Sequence, residues 1–137
     1  MKNLVLDGQR KAARPSRPVG QFSTKLKEVQ ARIEYSCIGR GDQAQALEIC
    51  MIIAEVDLLP DEYDIQIAGD KLPARMVKEI FGMIEHDHVE MVIENYKRER
   101  REIKFKKSYI RTALYQSVFE IESHYINQTA AARDFGG

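Results

Sequence analysis

The sequence predicts a mainly α fold, a compact bundle of about six helices with one short β-hairpin-like excursion near residues 62–72. Three observations lead there. Apolar residues recur at spacings of three and four through most of the chain. Gly, Pro and Asp punctuate these stripes at short intervals. Only residues 62–72 switch to a period of two. The 137 residues fit one domain, which at this size buries about two-thirds of its unfolded surface. With 44% hydrophobic residues, wholesale disorder is excluded.

Residues 1–21 lack apolar periodicity and contain Gly8, Pro15, Pro18 and Gly20, so they read as a flexible basic linker or tail. Arg10, Lys11, Arg14 and Arg17 lie within it; the sharper alternative is an arm that touches nucleic acid. The folded domain is expected over residues 22–128. Ser23 is placed to cap a first helix running to Tyr35, with Leu26, Val29 and Ile33 on one face. Gly39-Arg-Gly-Asp42 breaks the chain. Its Arg40-Gly41-Asp42 spells a cell-adhesion tripeptide, but without a secretion signal it reads as a turn followed by an N-cap at Asp42.

A second helix follows from Gln43 to Leu58, where Leu47, Ile49, Cys50, Ile52, Ile53 and Val56 make a broad stripe. Cys50 within it reads as a small hydrophobe. Pro60 and Asp61 stop the helix. Tyr63, Ile65 and Ile67 then alternate with Asp64 and Gln66, and Ala68-Gly69-Asp70-Lys71 turns the chain before Leu72. Pro73 opens a helix carrying Val77, Ile80, Phe81 and Ile84. Asp87, with Glu90 three residues on, is expected to cap the next, which carries Val89, Val92, Ile93 and Tyr96. A helix from Lys106 carries Tyr109, Ile110, Ala113, Leu114 and Val118, and a last one from Glu120 to Asn127 carries Ile121, Tyr125 and Ile126. Residues 129–137 are expected to form a flexible C-terminal tail.

Composition narrows the function classes. No apolar run approaches the ~18 residues of a membrane span, and Met1-Lys-Asn-Leu-Val-Leu-Asp7 is too soon charged for a signal peptide. Two cysteines, Cys37 and Cys50, exclude a multi-disulfide scaffold and lack zinc-finger spacing. These features point to a cytoplasmic protein without membrane contact. There is no phosphate-binding glycine loop and no HExxH. His86-Asp87-His88 would point its imidazoles apart on a helix, and reads as a capped start with two half-exposed histidines. Glu55 and Asp57, like Asp61 and Glu62, read as solubilising charge. No enzyme, cofactor, catalytic or metal site is expected.

Charge is informative where the total is not. The 21 basic and 21 acidic residues cancel, but residues 28–96 are strongly acidic and residues 97–111 strongly basic. The basic segment holds Lys97, Arg98, Arg100, Arg101, Lys104, Lys106, Lys107 and Arg111, interleaved with Phe105 and Tyr109. Cations neutralise phosphates and aromatic rings stack on bases, so Lys97, Arg98, Arg100, Arg101, Lys104, Lys106, Lys107, Tyr109 and Arg111 are the candidate nucleic-acid-binding residues. The plainer alternative is a solvated connection whose Lys and Arg stems cover apolar surface and whose charges favour the preceding helix end.

Longer runs carry a resemblance. Arg32-Ile-Glu-Tyr35, Ile65-Gln-Ile-Ala-Gly-Asp-Lys-Leu-Pro-Ala-Arg-Met-Val-Lys-Glu-Ile-Phe81 and Asp87-His-Val-Glu-Met-Val-Ile93 are followed by Ile103-Lys-Phe-Lys-Lys-Ser-Tyr-Ile-Arg-Thr-Ala-Leu-Tyr-Gln-Ser117 and Ser123-His-Tyr-Ile-Asn127. In order and spacing they resemble the C-terminal domain of replication initiator protein A of Gram-positive plasmids and mobile elements, over residues 30–127. That domain is in turn similar to the DnaD-type helicase-loader module. The resemblance implies a helical module that recruits host replication proteins, primase or helicase, to an origin. The family pairs such a module with an N-terminal winged-helix origin-binding domain, for which there is no room ahead of residue 30, so the chain is expected to be an isolated C-terminal module, either a fragment or a short stand-alone relative. One departure stands out. DnaD-type modules carry Tyr-x-x-x-Ile-x-x-x-Trp near a DNA-contacting helix, and the matching positions here are Tyr109, Ala113 and Ser117. Three functions are therefore expected in order: a non-enzymatic replication-initiation adaptor, a nucleic-acid-binding module using residues 97–111, and a homo-oligomerisation domain.

Overall fold

The stripes at helical spacing fold into five α-helices, and the alternating stretch into one hairpin, among the residues described. The computed structural model describes residues 16–136, with side chains described over residues 20–121. Helix α1 is Ser16–Arg32, and two short 3-10 turns, Tyr35–Cys37 and Arg40–Asp42, lead to α2, Gln43–Asp57. Strands β1, Asp64–Ile67, and β2, Asp70–Pro73, precede α3, Ala74–Phe81; α4, His86–Arg98; and α5, Lys106–Gly136.

Helix α2 is buried on most of its circumference, at Ala46, Ile49, Cys50, Ile52, Ile53, Ala54 and Val56. A helix apolar all round has to be enclosed, and α1, α3, α4 and α5 all pack on it. Val29 and Ile33 come from α1 and the turn after it, Val77 and Phe81 from α3, Val89 and Val92 from α4, and Ile110, Leu114 and Val118 from α5; all are buried. Each such side chain contributes about 1.5–3 kcal/mol on leaving water.

Strands β1 and β2 pair antiparallel, with Ile65 opposite Leu72 and Ile67 opposite Asp70. Directly opposed residues share a face, so Ile65, Ile67, Leu72 and Asp70 lie on one side and Gln66 and Lys71 on the other. The turn needs positive φ at both central positions, Ala68 at 54° and Gly69 at 88°. That geometry matches the twist of a two-residue hairpin, and Gly69 meets it without a Cβ penalty. The Ala68 N–H donates to Thr112 Oγ1 at 3.1 Å, fastening the turn to α5.

The helix boundaries differ from the sequence reading for physical reasons. Helix α1 already holds residues 16–21, expected to be linker; Pro18 falls in its first turn, where a missing N–H costs nothing. Ser23 is therefore inside the helix and caps nothing. Residues 1–15, the rest of the expected linker, lie outside the described residues. Asp42 precedes α2 but makes no side-chain cap bond; its carboxylate is engaged elsewhere. Helix α4 starts one residue before Asp87 and is capped by Glu85, whose backbone N–H donates to His88 Nδ1 at 2.9 Å in a reciprocal capping box. His88 is thus buried, not half-exposed. The last two expected helices are one. No Gly or Pro interrupts residues 106–135, so α5 runs on to Gly136, through most of the stretch expected to be a tail.

Two side chains brace the α3–α4 junction. Arg32 donates to the carbonyls of Gly82 at 3.1 Å and Phe81 at 3.3 Å, closing the C-terminus of α3. His86 Nδ1 lies 2.9 Å from the Ile33 carbonyl. Lys78 holds the Asp61 carboxylate at 2.8 Å and keeps its carboxyl below the usual range.

Cys37 is exposed and Cys50 buried; burial pushes the Cys50 thiol up from 9.0 to about 11. An aromatic disulfide reagent at pH 8 is expected to modify Cys37 fast and Cys50 only on unfolding. Between pH 9.0 and about 11 the unfolded chain releases a proton that native Cys50 keeps, so stability should fall across that window. Equal labelling rates for the two thiols would contradict this packing.

Candidate interaction surface

The basic segment spans three environments. Lys97 and Arg98 end α4, residues 99–105 form the connection, and Lys106 opens α5. Basic residues in a last helical turn favour the helix dipole, and the connection turns the chain so that α5 lies back along α2 and α4.

That path brings the cations onto carboxylates of α2 and of the turn before it. Lys97 Nζ lies 2.9 Å from Asp42 Oδ1 and 3.8 Å from Glu94. Lys106 Nζ lies 3.0 Å from Glu48 and 5.0 Å from the centre of the Tyr96 ring. Lys107 Nζ lies 2.5 Å from Glu55. The hydrogen bond to Asp42 holds the Lys97 ammonium above its ordinary range, and that to Glu48 does the same for Lys106. These pairs are part-exposed, and each contributes about 0–1 kcal/mol. Their larger effect is local neutralisation. Glu48 and Glu55 sit seven residues apart, two helical turns, and so lie on one side of α2.

Arg101 is also paired, but within its own loop: its Nε lies 2.9 Å from Glu99 Oε2, which keeps the Glu99 carboxyl below the usual range. Among the described residues no ion-pair partner lies within 4.0 Å of Arg98, Arg100, Lys104 or Arg111. Arg111 is set apart from the others, half-buried beside Glu55, Leu59 and Tyr63. Tyr109 packs its ring 6.1 Å from that of Tyr96 at a 59° tilt. Burial and then nearby Glu99 push its hydroxyl pKa up, and the residue is partly buried, packed against the core.

The nine candidate residues are therefore not one open patch. Lys97, Lys106 and Lys107 face α2, Arg101 closes on Glu99, and Arg98, Arg100 and Lys104 remain on the surface. Phe105 beside them is 75% exposed. Glu55, read from sequence as solubilising charge, is a partner of Lys107. The seven-residue spacing of Glu48 and Glu55 was the available signal, and its meaning depends on where α5 lands.

Two further surfaces are hollows, the first apolar and the second of mixed polarity. Phe22, Met51 and Ile52 line a hollow of about 180 Å³ rimmed by Glu48, Glu55 and Lys107. A larger one, about 760 Å³, runs along α5 from Phe105 past Thr112 to Glu120, with the hairpin turn as its far wall. Among the described residues no group of three or more His, Cys, Asp or Glu is placed to hold a metal ion. Nor is any described helix long and apolar enough to cross a membrane.

The chain belongs to a family of unknown function, DUF6017, whose match spans residues 8–136. No curated protein and no solved structure matches it.

Proposed function

We propose that this domain is a non-enzymatic replication-initiation adaptor that recruits a host replication protein, primase or helicase, to the origin of a plasmid or mobile element, in the cytoplasm. The resemblance of residues 30–127 to the C-terminal domain of replication initiator protein A supplies the process. The observation that carries protein recruitment over DNA binding is the set of ion pairs from Lys97, Lys106 and Lys107 to Asp42, Glu48 and Glu55. A cation already facing a carboxylate releases fewer counterions from DNA, and so adds less affinity. The hollow of Phe22, Met51 and Ile52 suits an apolar anchor, because Glu48 and Glu55 at its rim are already paired with Lys106 and Lys107.

Titration of the 137-residue chain against purified primase and helicase from a Gram-positive host is expected to show micromolar binding to one of them. Met51→Glu should weaken that binding by about tenfold or more. Binding to neither at micromolar concentration would sink the adaptor reading.

Nucleic-acid contact is the second reading, favoured by one local feature: Phe105, next in sequence to Lys104, stands 75% exposed in the basic connection. An exposed ring among cations is a stacking platform for an unpaired base. This reading expects single-stranded DNA to be retarded in low salt and released when Arg98, Arg100 and Lys104 become Ala. Absence of retardation by the unaltered chain removes it.

A further inference from the structure

Backbone hydrogen bonding in the hairpin leaves one edge unsatisfied. Residue pairs in an antiparallel ladder alternate between bonded and non-bonded. The Ala74 N–H donates to the Tyr63 carbonyl at 2.7 Å. With the β1–β2 register, the bonded pairs are then Tyr63 with Ala74, Ile65 with Leu72 and Ile67 with Asp70. The N–H and C=O groups of Asp64 and Gln66 therefore point away from β2. The sheet has two strands, and among the described residues no other backbone or side-chain group takes up these donors and acceptors. The next outward N–H, that of Ala68, donates to Thr112, so the open stretch ends at the turn.

The two edges of the hairpin are not equivalent. On β2 the outward positions are Lys71 and Pro73. Proline has no N–H to offer and an edge lysine keeps its charge in water, so both discourage strand addition. On β1 the outward positions are Asp64 and Gln66, both exposed and both with an N–H. A hollow of about 290 Å³ adjoins this stretch, lined by residues 63–66, by Val56 and Leu59, and by Arg111. Glu55 also borders it but is held by Lys107, and Asp64 shares the exposed face of the hairpin with Gln66. Arg111, half-buried, has no ion-pair partner among the described residues.

We propose that the outer edge of β1 takes an extended peptide segment of a partner protein as a third strand. The segment bonds to the backbone of Asp64 and Gln66, turns an aliphatic side chain toward Val56 and Leu59, and presents a carboxylate to Arg111. In strand addition the backbone bonds supply affinity and the side-chain pockets supply sequence preference. A single strand lies only about 4.8 Å from the edge it joins, which suits a narrow hollow better than a second folded copy does. The site is distinct from the Met51 hollow and stands independently of the adaptor reading.

The probe is a blocked pentapeptide that alternates valine with polar residues, one of them glutamate. Titrated into the whole chain up to about 1 mM, it should bind and slow hydrogen exchange at the Asp64 and Gln66 amides. In the free chain those amides should exchange faster than the laddered amides of Ile65 and Ile67. Methylating the peptide nitrogens that face β1 should weaken binding by about tenfold or more, and so should Gln66→Pro. That substitution removes an N–H outside the β1–β2 ladder, a position where an edge strand tolerates proline; an unchanged melting temperature confirms the fold. Lys71→Pro, the same change on the other edge, should leave binding unchanged. Arg111→Gln should weaken the glutamate peptide more than its glutamine counterpart. Any of three results overturns the proposal: no binding in that range, equal binding of the methylated peptide, or equal binding by the Gln66→Pro chain. Self-association in sedimentation that is lost with Gln66→Pro also overturns it, by giving the edge to a second copy.

Discussion

Enclosure of α2 is the constraint on which the rest of the structure depends. Ile49, Cys50, Ile53 and Ala54 are inaccessible to water, and the helix has few turns on which a polar face is free. Four other helices must cover it, and the chain needs α5 to return across it to complete the cover. The return is what places Lys106 and Lys107 over Glu48 and Glu55. Packing thus decides electrostatics here: the hydrophobic term is worth several kcal/mol per side chain pair, whereas each part-exposed ion pair is worth about 1 kcal/mol or less. The ion pairs follow from the return of α5 and do not drive it.

This ordering bears on function. A chain split into an acidic body and a basic segment reads, in one dimension, like a polarised surface aimed at a partner. In three dimensions much of that polarity is spent internally, because the two segments lie against each other. What stays outside is a short basic connection at Arg98, Arg100 and Lys104, an apolar hollow between α1 and α2 and a hollow of mixed polarity along α5.

Much of the fold was legible in the sequence because its signals are local. The stripe of α2, the alternation at Tyr63–Ile67 and the Ala68-Gly69 turn each need only neighbouring residues to be read. Boundaries were less legible where two signals compete. Ser23 has the chemistry of a cap, yet the stripe through Phe22 and Leu26 extends past it, and Pro18 fits the first turn, so the helix starts at Ser16. Glu85 with His88 forms the cap that Asp87 and Glu90 seemed to offer, because His88 at that position is also buried against the core. The single α5 reads in sequence as two helices divided between Val118 and Glu120, although no Gly or Pro interrupts the chain there. The pairing of the basic segment with α2 was barely legible: it joins residues more than fifty positions apart, and the seven-residue spacing of Glu48 and Glu55 acquires meaning only once α5 lies over them.

Glu48 and Glu55 of α2 pair with Lys106 and Lys107, two of the eight cations of residues 97–111, and a cation so paired adds less affinity for DNA. The most direct measurement is the affinity of the Glu48→Gln/Glu55→Gln variant for single-stranded DNA in low salt, set against that of the unaltered chain. The variant is expected to bind more tightly, with a steeper salt dependence by about one to two released counterions. Tight binding by the unaltered chain that does not change in the variant would contradict it.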